Sequence, residues 1–454
     1  MAMYFPSWLQ SLDSIRFARV VPAQIFGDYW MPAVYAIFVK GIQEVAPTLW
    51  VTIAVQHLIG LSVGVILYLA MRLLGAKPWL ACVPAAAAFL VGDQIWIEHQ
   101  IMSEPFVTAL IAGGLACTLR GLVPQTALRW LAAGSVLLIL AGLSRNIALT
   151  TLPIAVLCVA FWVRGPLRAR ATALATVIVP ALVVLGLYVA AFEISGGQYL
   201  GLADMRGWNL YARTAPFADC DEFTPPPGTQ VLCESTPSAE RLGSLGYQWD
   251  TESVGRREFE LGPETSPIVG EFGQQALLHQ PLDYLEIVAT DAARYLDPSI
   301  GPDRYLSGQP ASVQSFGLID PATRAFVEEY LSRVYDGTDV HVHGREALAT
   351  YQDMTRPGWL LAPLLIFALL GMAIARGPVR LAIFLFGLTA LALYLVPVFV
   401  LSYEFRYGLP PQPFLVAAGT LGIAALLSRR YPTALFEERL SETATEPEPA
   451  AAAP

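Results

Sequence analysis

Asp93-Gln-Ile-Trp-Ile-Glu98-His99-Gln-Ile-Met-Ser-Glu104 sets three carboxylates and a histidine between two apolar runs, 79–91 before it and 106–122 after it. Ionisable groups beside lipid are costly to keep, so their retention there points first to function. The flanking runs read as membrane helices, the first of them short, and the polar stretch as the turn of a hairpin that emerges at one bilayer surface.

The bulk numbers agree with a polytopic membrane protein. Of 454 residues, 55% are hydrophobic and 14% charged, where a soluble chain carries about a quarter charged residues. The mean hydropathy is +0.51. Further apolar runs lie at 48–74, 130–143, 147–163, 171–192, 359–374, 381–400 and 414–427. Together they predict about nine spans of an all-α bundle. The net charge of −9 is partly due to the Ala-, Pro- and Glu-rich segment 431–454, which reads as a disordered cytoplasmic tail. No basic face supports nucleic-acid binding. The first forty or so residues lack the basic start and apolar core of a cleavable signal peptide.

Sidedness follows from the basic clusters. Arg72/Lys77, Arg120/Arg129, Arg164/Arg168/Arg170, Arg376/Arg380 and Arg429/Arg430 fall on one side under strict alternation, and that side is expected to be cytoplasmic. The opposite side then receives residues 1–46, the hairpin 93–104, Arg145, the polar stretch 193–357 and the motif 403–412. An odd span count also leaves the N-terminus outside. Segment 1–46 mixes aromatic and charged residues and reads as interfacial. Stretch 193–357 reads as an inserted domain of mixed structure, with amphipathic helices expected at 274–295 and 321–335 and irregular structure at 207–249. If it lies outside the cytoplasm, Cys220 and Cys233 are expected to form a disulfide. Cys82, Cys117 and Cys158 lie in apolar runs and read as small hydrophobes.

Each polar candidate has a bland alternative. Asp13 is either a general base for a hydroxyl or a helix N-cap. Gln94 and Glu98 share a helix face, and with His99 form either a ligand contact or a solvated helix end. Ser103 and Pro105 read as the cap and first turn of the next helix, where Glu104 also suits the helix dipole. Arg145, next to Asn146, is a phosphate holder or a snorkelling anchor. Arg406 with Tyr407 is a phosphate or sugar clamp, or part of an aromatic belt. His341 and His343 are too few for a metal site on their own. Gln56 and His57 read as a polar contact between helices.

The chain resembles the bacterial, above all actinobacterial, polytopic glycosyltransferases of the GT-C class, which use lipid-phosphate sugars. The matching pieces are Leu12-Asp-Ser-Ile-Arg-Phe17, Met31-Pro-Ala-Val-Tyr-Ala-Ile-Phe38, Val55-Gln-His-Leu-Ile-Gly60, the hairpin 93–104, Leu143-Ser-Arg-Asn146 and Glu404-Phe-Arg-Tyr-Gly-Leu-Pro410. Gly207-Trp-Asn-Leu-Tyr211 and the Cys220/Cys233 segment look like an outer loop of the same class. The resemblance implies an inverting hexosyl- or pentosyltransferase of the bacterial plasma membrane, with its active site on the extracytoplasmic face. Asp13 would be the catalytic base, and Glu98 and His99 would be polar contacts of the second outer loop; to these the reading of the residues adds Glu104, Arg145, Arg406 and Tyr407 as substrate contacts. The donor would be a polyprenyl-phosphate sugar and the acceptor a cell-envelope glycan, lipid or protein. Two departures stand out. The family's first span has no counterpart ahead of Asp13, and the acidic hairpin is not an Asp-x-Asp type motif, so a divalent metal is left open and no other cofactor is implied. The alternative class is a secondary transporter or polysaccharide export component, which would place polar groups near the bilayer midplane in related halves. A scaffold that only displays the inserted domain is the non-catalytic reading.

Overall fold

The computed structural model describes residues 4–5, 13–14, 17, 25–123, 125–297, 299, 341–342, 345–428 and 435–436. The expected helix at 321–335, His343, Arg429, Arg430 and the tail beyond 436 lie outside these residues. The described chain is helical apart from one two-residue antiparallel pair, β1 (Tyr4–Phe5) with β2 (His341–Val342).

A short helix, α1 (Val34–Val45), leads into α2 (Leu49–Leu73). Gly75, at φ 78°, makes the turn that follows, a backbone state open to glycine. Pro78 then opens α3 (Pro78–Leu90) at its first position, where a missing N–H costs nothing. Helix α3 breaks at the extended residue Val91 and resumes as α4 (Gly92–Glu98), bent by 53°. The hairpin returns as α5 (Ser103–Leu122), followed by α6 (Leu128–Gly142), a 3-10 turn (Asn146–Thr150), α7 (Thr151–Trp162) and α8 (Leu167–Ile194). The polar stretch ends in α14 (Arg345–Thr355), and α15 (Gly358–Ile374), α16 (Gly377–Val400) and α17 (Gln412–Ser428) follow it. Each expected apolar run is a helix. Among the described residues six stretches are long and apolar enough to cross a bilayer, seven if the bent pair α3–α4 counts as one, while α6 and the 146–162 segment are shorter. The chain is an all-α membrane-spanning protein.

Lipid supplies no hydrophobic drive between helices, so close packing has to hold the bundle together. Helices α15 and α17 cross at a glycine contact: a Cβ on Gly371 would sit 2.3 Å from the Cα of Gly422. One end of the bundle carries the turn after α2, which bonds residues 435–436 through Lys77 N–H to Leu435 O at 3.0 Å and an Ala76–Phe436 bridge. The other end gathers Asp13, the 98–104 turn, Arg145 and residues 403–407.

Against that end lie five helices from the polar stretch: α9 (Arg206–Thr214), α10 (Ser244–Trp249), α11 (Val254–Glu258), α12 (Ser266–His279) and α13 (Pro281–Arg294). The first four share an apolar cluster of their own that includes Trp208, Tyr211, Tyr247 and Phe272, whereas Val288 of α13 packs with the core of the bundle. Helices α9 and α12 touch backbone to backbone, since a Cβ on Gly207 would lie 1.7 Å from Ser266 O. The single helix expected at 274–295 is two helices. Pro281 lacks the N–H that would continue the first, and Gln280 before it is non-helical (φ −121°, ψ 53°). Region 207–249 is irregular between α9 and α10 only, and the Cys220–Cys233 disulfide closes it, Cα to Cα 5.9 Å. Asp291 ties these helices to the bundle. Its Oδ2 accepts from buried Arg213 and from Tyr403 N–H at 3.1 Å, and its Oδ1 accepts from Arg294 at 3.0 Å.

Candidate active site at the polar end of the bundle

Arg406 lies in the short 3-10 turn Phe405–Gly408 between α16 and α17. Its Nη1 donates to Asp13 Oδ2 at 2.5 Å and its Nη2 to Glu404 Oε2 at 3.2 Å, while Nε faces Glu404 and lies 3.8 Å from Glu104 Oε1. Arg145, extended at the end of the α6 turn, holds Glu104 Oε1 from Nη1 at 2.8 Å and donates to Ser103 Oγ at 3.0 Å. Both guanidinium groups lie against the Tyr407 ring, at 4.8 Å for Arg145 and 5.4 Å for Arg406. Planar cations over an aromatic face gain from its quadrupole, more so away from water.

Asp13, Glu104, Arg145, Arg406 and Tyr407 therefore form one ion network, built from segments far apart in sequence. Ser103 departs from its expected role. It is the first helical residue of α5, makes no capping bond, and uses its hydroxyl to hold Arg145. Glu104 does lie in the first turn of α5, yet its carboxylate, 1% exposed, serves Arg145 as well.

The network opens into a cavity of about 680 Å³. Asp13, Arg145, Glu404, Arg406 and Tyr407 line one part of it. Ile147 and Thr150 of the 3-10 turn, with Val396, Val400 and Leu401 at the end of α16, line an apolar part. Val400 is 50% exposed, so the cavity is open along this wall. Trp30, Asn209, Leu245 and Trp249 contribute a third, aromatic part. The volume is in the range of small-molecule sites, which are largely apolar with a few placed polar groups.

Glu98 and His99 are placed differently. Trp96, Ile97 and Gln100 face the cavity, but Glu98 and His99 are not among its lining. They are buried towards α2. Glu98 Oε2 meets His57 Nδ1 at 3.0 Å, His57 Nε2 lies 3.3 Å from His99 Nδ1, and Gln94 donates to Glu98 Oε1 at 3.1 Å. The expected shared face of Gln94 and Glu98 is thus present. Gln56 does make a helix contact, donating to the backbone of Glu98 (3.0 Å) and of Gln100, and it accepts from Tyr35. His57 is more than packing, being the middle member of a carboxylate–imidazole–imidazole chain. Gly60 makes room for it, since a Cβ there would lie 1.9 Å from Glu98 Oε1.

Asp93 is fully buried and held in a fork by Arg356, Nε to Oδ2 at 2.9 Å and Nη2 to Oδ1 at 3.2 Å. Sequence reading passed over Arg356 and Glu404. The first lies at the far end of the long polar stretch, and the second is one carboxylate in an aromatic motif, so neither gave a spacing signal. Tyr295 and Tyr403 pack ring to ring at 4.7 Å beside this pair. Burial pushes both phenols well above their ordinary range, which keeps them neutral.

Among the described residues no group of three His, Cys, Asp or Glu side chains converges as a metal site. Asp13, Glu104 and Glu404 are each turned to an arginine instead. The described residues of this site do not fit a metal centre. No protein-family model matches the chain, and no curated protein or solved structure matches it either.

Proposed function

We propose that the protein is a GT-C-like inverting glycosyltransferase, which moves a sugar from a polyprenyl phosphate to a hydroxyl of a cell-envelope acceptor. The observation that carries this reading is one open cavity in which paired arginines and Asp13 adjoin an apolar wall at the end of α16. A donor with an isoprenoid tail, a phosphate and a sugar needs those surfaces side by side. In the same reading the nine apolar helices cross a bacterial plasma membrane, two of them as short spans, and helices α9–α13 form an extracytoplasmic domain.

Charge distribution separates the two arginines. Arg406 is held by Asp13 and Glu404, whereas among the described carboxylates Arg145 pairs with Glu104. Arg145 is therefore the better phosphate holder, with a planar fork suited to phosphate oxygens. Arg406 positions the base. Asp13 lines the cavity itself, where its carboxylate can meet an incoming hydroxyl. As the acceptor hydroxyl attacks the anomeric carbon, its proton passes to Asp13. The bond from that carbon to the phosphate oxygen breaks, its electron pair stays on the phosphate, and Arg145 stabilises the charge that develops. Attack from the side away from the phosphate inverts the anomeric centre.

The test is transfer of radiolabelled sugar from polyprenyl-phosphate donors in membranes carrying the protein. Asp13→Asn at wild-type abundance is expected to lower transfer by about 10²–10⁴-fold, the usual worth of a general base. Undiminished transfer by that variant would remove Asp13 from the mechanism. Movement of the lipid-linked sugar across the bilayer without transfer would favour the export reading.

A further inference from the structure

The ion network and the apolar wall leave one part of the cavity unexplained. Trp30, from the segment before α1, and Trp249, at the end of α10, pack with ring centroids 4.9 Å apart and planes tilted by 37°. Trp249 lines the cavity and is still 45% exposed. An indole held open to solvent beside a cavity forgoes the burial that its large apolar area would otherwise gain.

Next to it stands Asn209 of α9. Its Oδ1 accepts from Gln248 Nε2 at 2.7 Å, which fixes the amide plane. Its Nδ2 hydrogens have no protein partner among the described residues. Gln248 is fully buried, so the support is rigid. A flat aromatic surface beside a fixed amide donor matches a pyranose, whose C–H face is apolar and whose edge carries hydroxyls. An isoprenoid chain would cover the rings but leave the amide unsatisfied, at the cost of an unmade hydrogen bond. That chain also has its own wall, at Val396 and Val400.

We propose that Trp249, backed by Trp30 and flanked by Asn209, is the acceptor subsite and binds a neutral pyranose ring. The acceptor is then a glycan, and neither a lipid nor a protein hydroxyl. This inference rests on the transferase reading of the same cavity, and it adds the acceptor's chemical class.

The experiment is intrinsic tryptophan fluorescence of the full-length protein in nanodiscs, titrated with neutral gluco-, manno- and galactopyranosyl trisaccharides in the absence of donor. A saturable shift is expected with at least one of them. Trp249→Ala should raise the apparent Kd about ten-fold, since one aromatic face is lost. Trp249→Phe should retain most of the affinity, and Asn209→Ala should weaken it without abolishing the shift. Trp249 is exposed, so its truncation leaves the fold intact, and an unchanged elution profile checks this. No saturable shift with any trisaccharide, or a shift unaltered in Trp249→Ala, overturns the subsite. Binding of a trisaccharide by protein that never consumes polyprenyl-phosphate sugar keeps the carbohydrate site and refutes the transferase reading. Transfer without trisaccharide binding does the reverse.

Discussion

Glu98 rests its carboxylate on the bare backbone of α2 at Gly60, where even a methyl group would stand 1.9 Å from Oε1. That contact makes the histidine chain sensitive to one atom. Gly60→Ala is expected to push Glu98 off His57 and lower stability by about 1–3 kcal/mol, the usual cost of overpacking. Thermal unfolding in detergent reads it, and Glu98→Ala in the Gly60→Ala background should remove the steric part of the loss. Additive losses in the double variant would show that the two residues do not meet. The sequence made the residue types at this end legible, as costly polar groups at the ends of apolar runs. It did not make their partners legible. Arg406 meets Asp13 across 393 positions and Arg356 meets Asp93 across 263, and no spacing rule reaches that far. The grouping of Glu98 with Glu104 by proximity in the hairpin was likewise only half informative, because one turns to α2 and the other to Arg145.

At the scale of elements, the bend between α3 and α4 is set by what docks on it. Gly92 N–H donates to Thr355 Oγ1 at 2.8 Å, a Cβ on Gly92 would lie 2.7 Å from the Gln352 backbone, and Arg356 grips Asp93. Helix α14 is thus clamped to the hairpin that carries Trp96 and Ile97 into the cavity. Arg356→Ala would leave Asp93 charged and buried without its partner, a loss of about 3–5 kcal/mol for a broken buried pair. Asp93→Asn with Arg356→Gln should cost less than Arg356→Ala alone, as measured by unfolding in the same detergent. Equal loss in both would assign the effect to packing instead. Helix positions were legible from apolar runs because burial in lipid forces them. The break at Val91 was not, since an apolar residue in an extended state gives no local signal.

Seen whole, the protein has two unlike ends. One holds the turn after α2 against residues 435–436. The other collects Asp13, Glu104, Arg145 and Arg406 under helices α9–α13, which are joined to it through Asp291 and Tyr403. The alternation of basic clusters assigns these residues to one side from the sequence alone, because charge asymmetry across a bilayer acts on every loop at once. The cavity could not be anticipated, as its walls come from the first segment, the hairpin, α9, α10 and α16 together. The most direct measurement is the structure of the protein in nanodiscs with a non-hydrolysable polyprenyl-phosphate sugar. The phosphate is expected within hydrogen-bond reach of Arg145, the isoprenoid along Val396 and Val400, and the anomeric carbon facing Asp13. A donor phosphate bound away from Arg145, or a lipid chain leaving the protein by another route, would contradict the account.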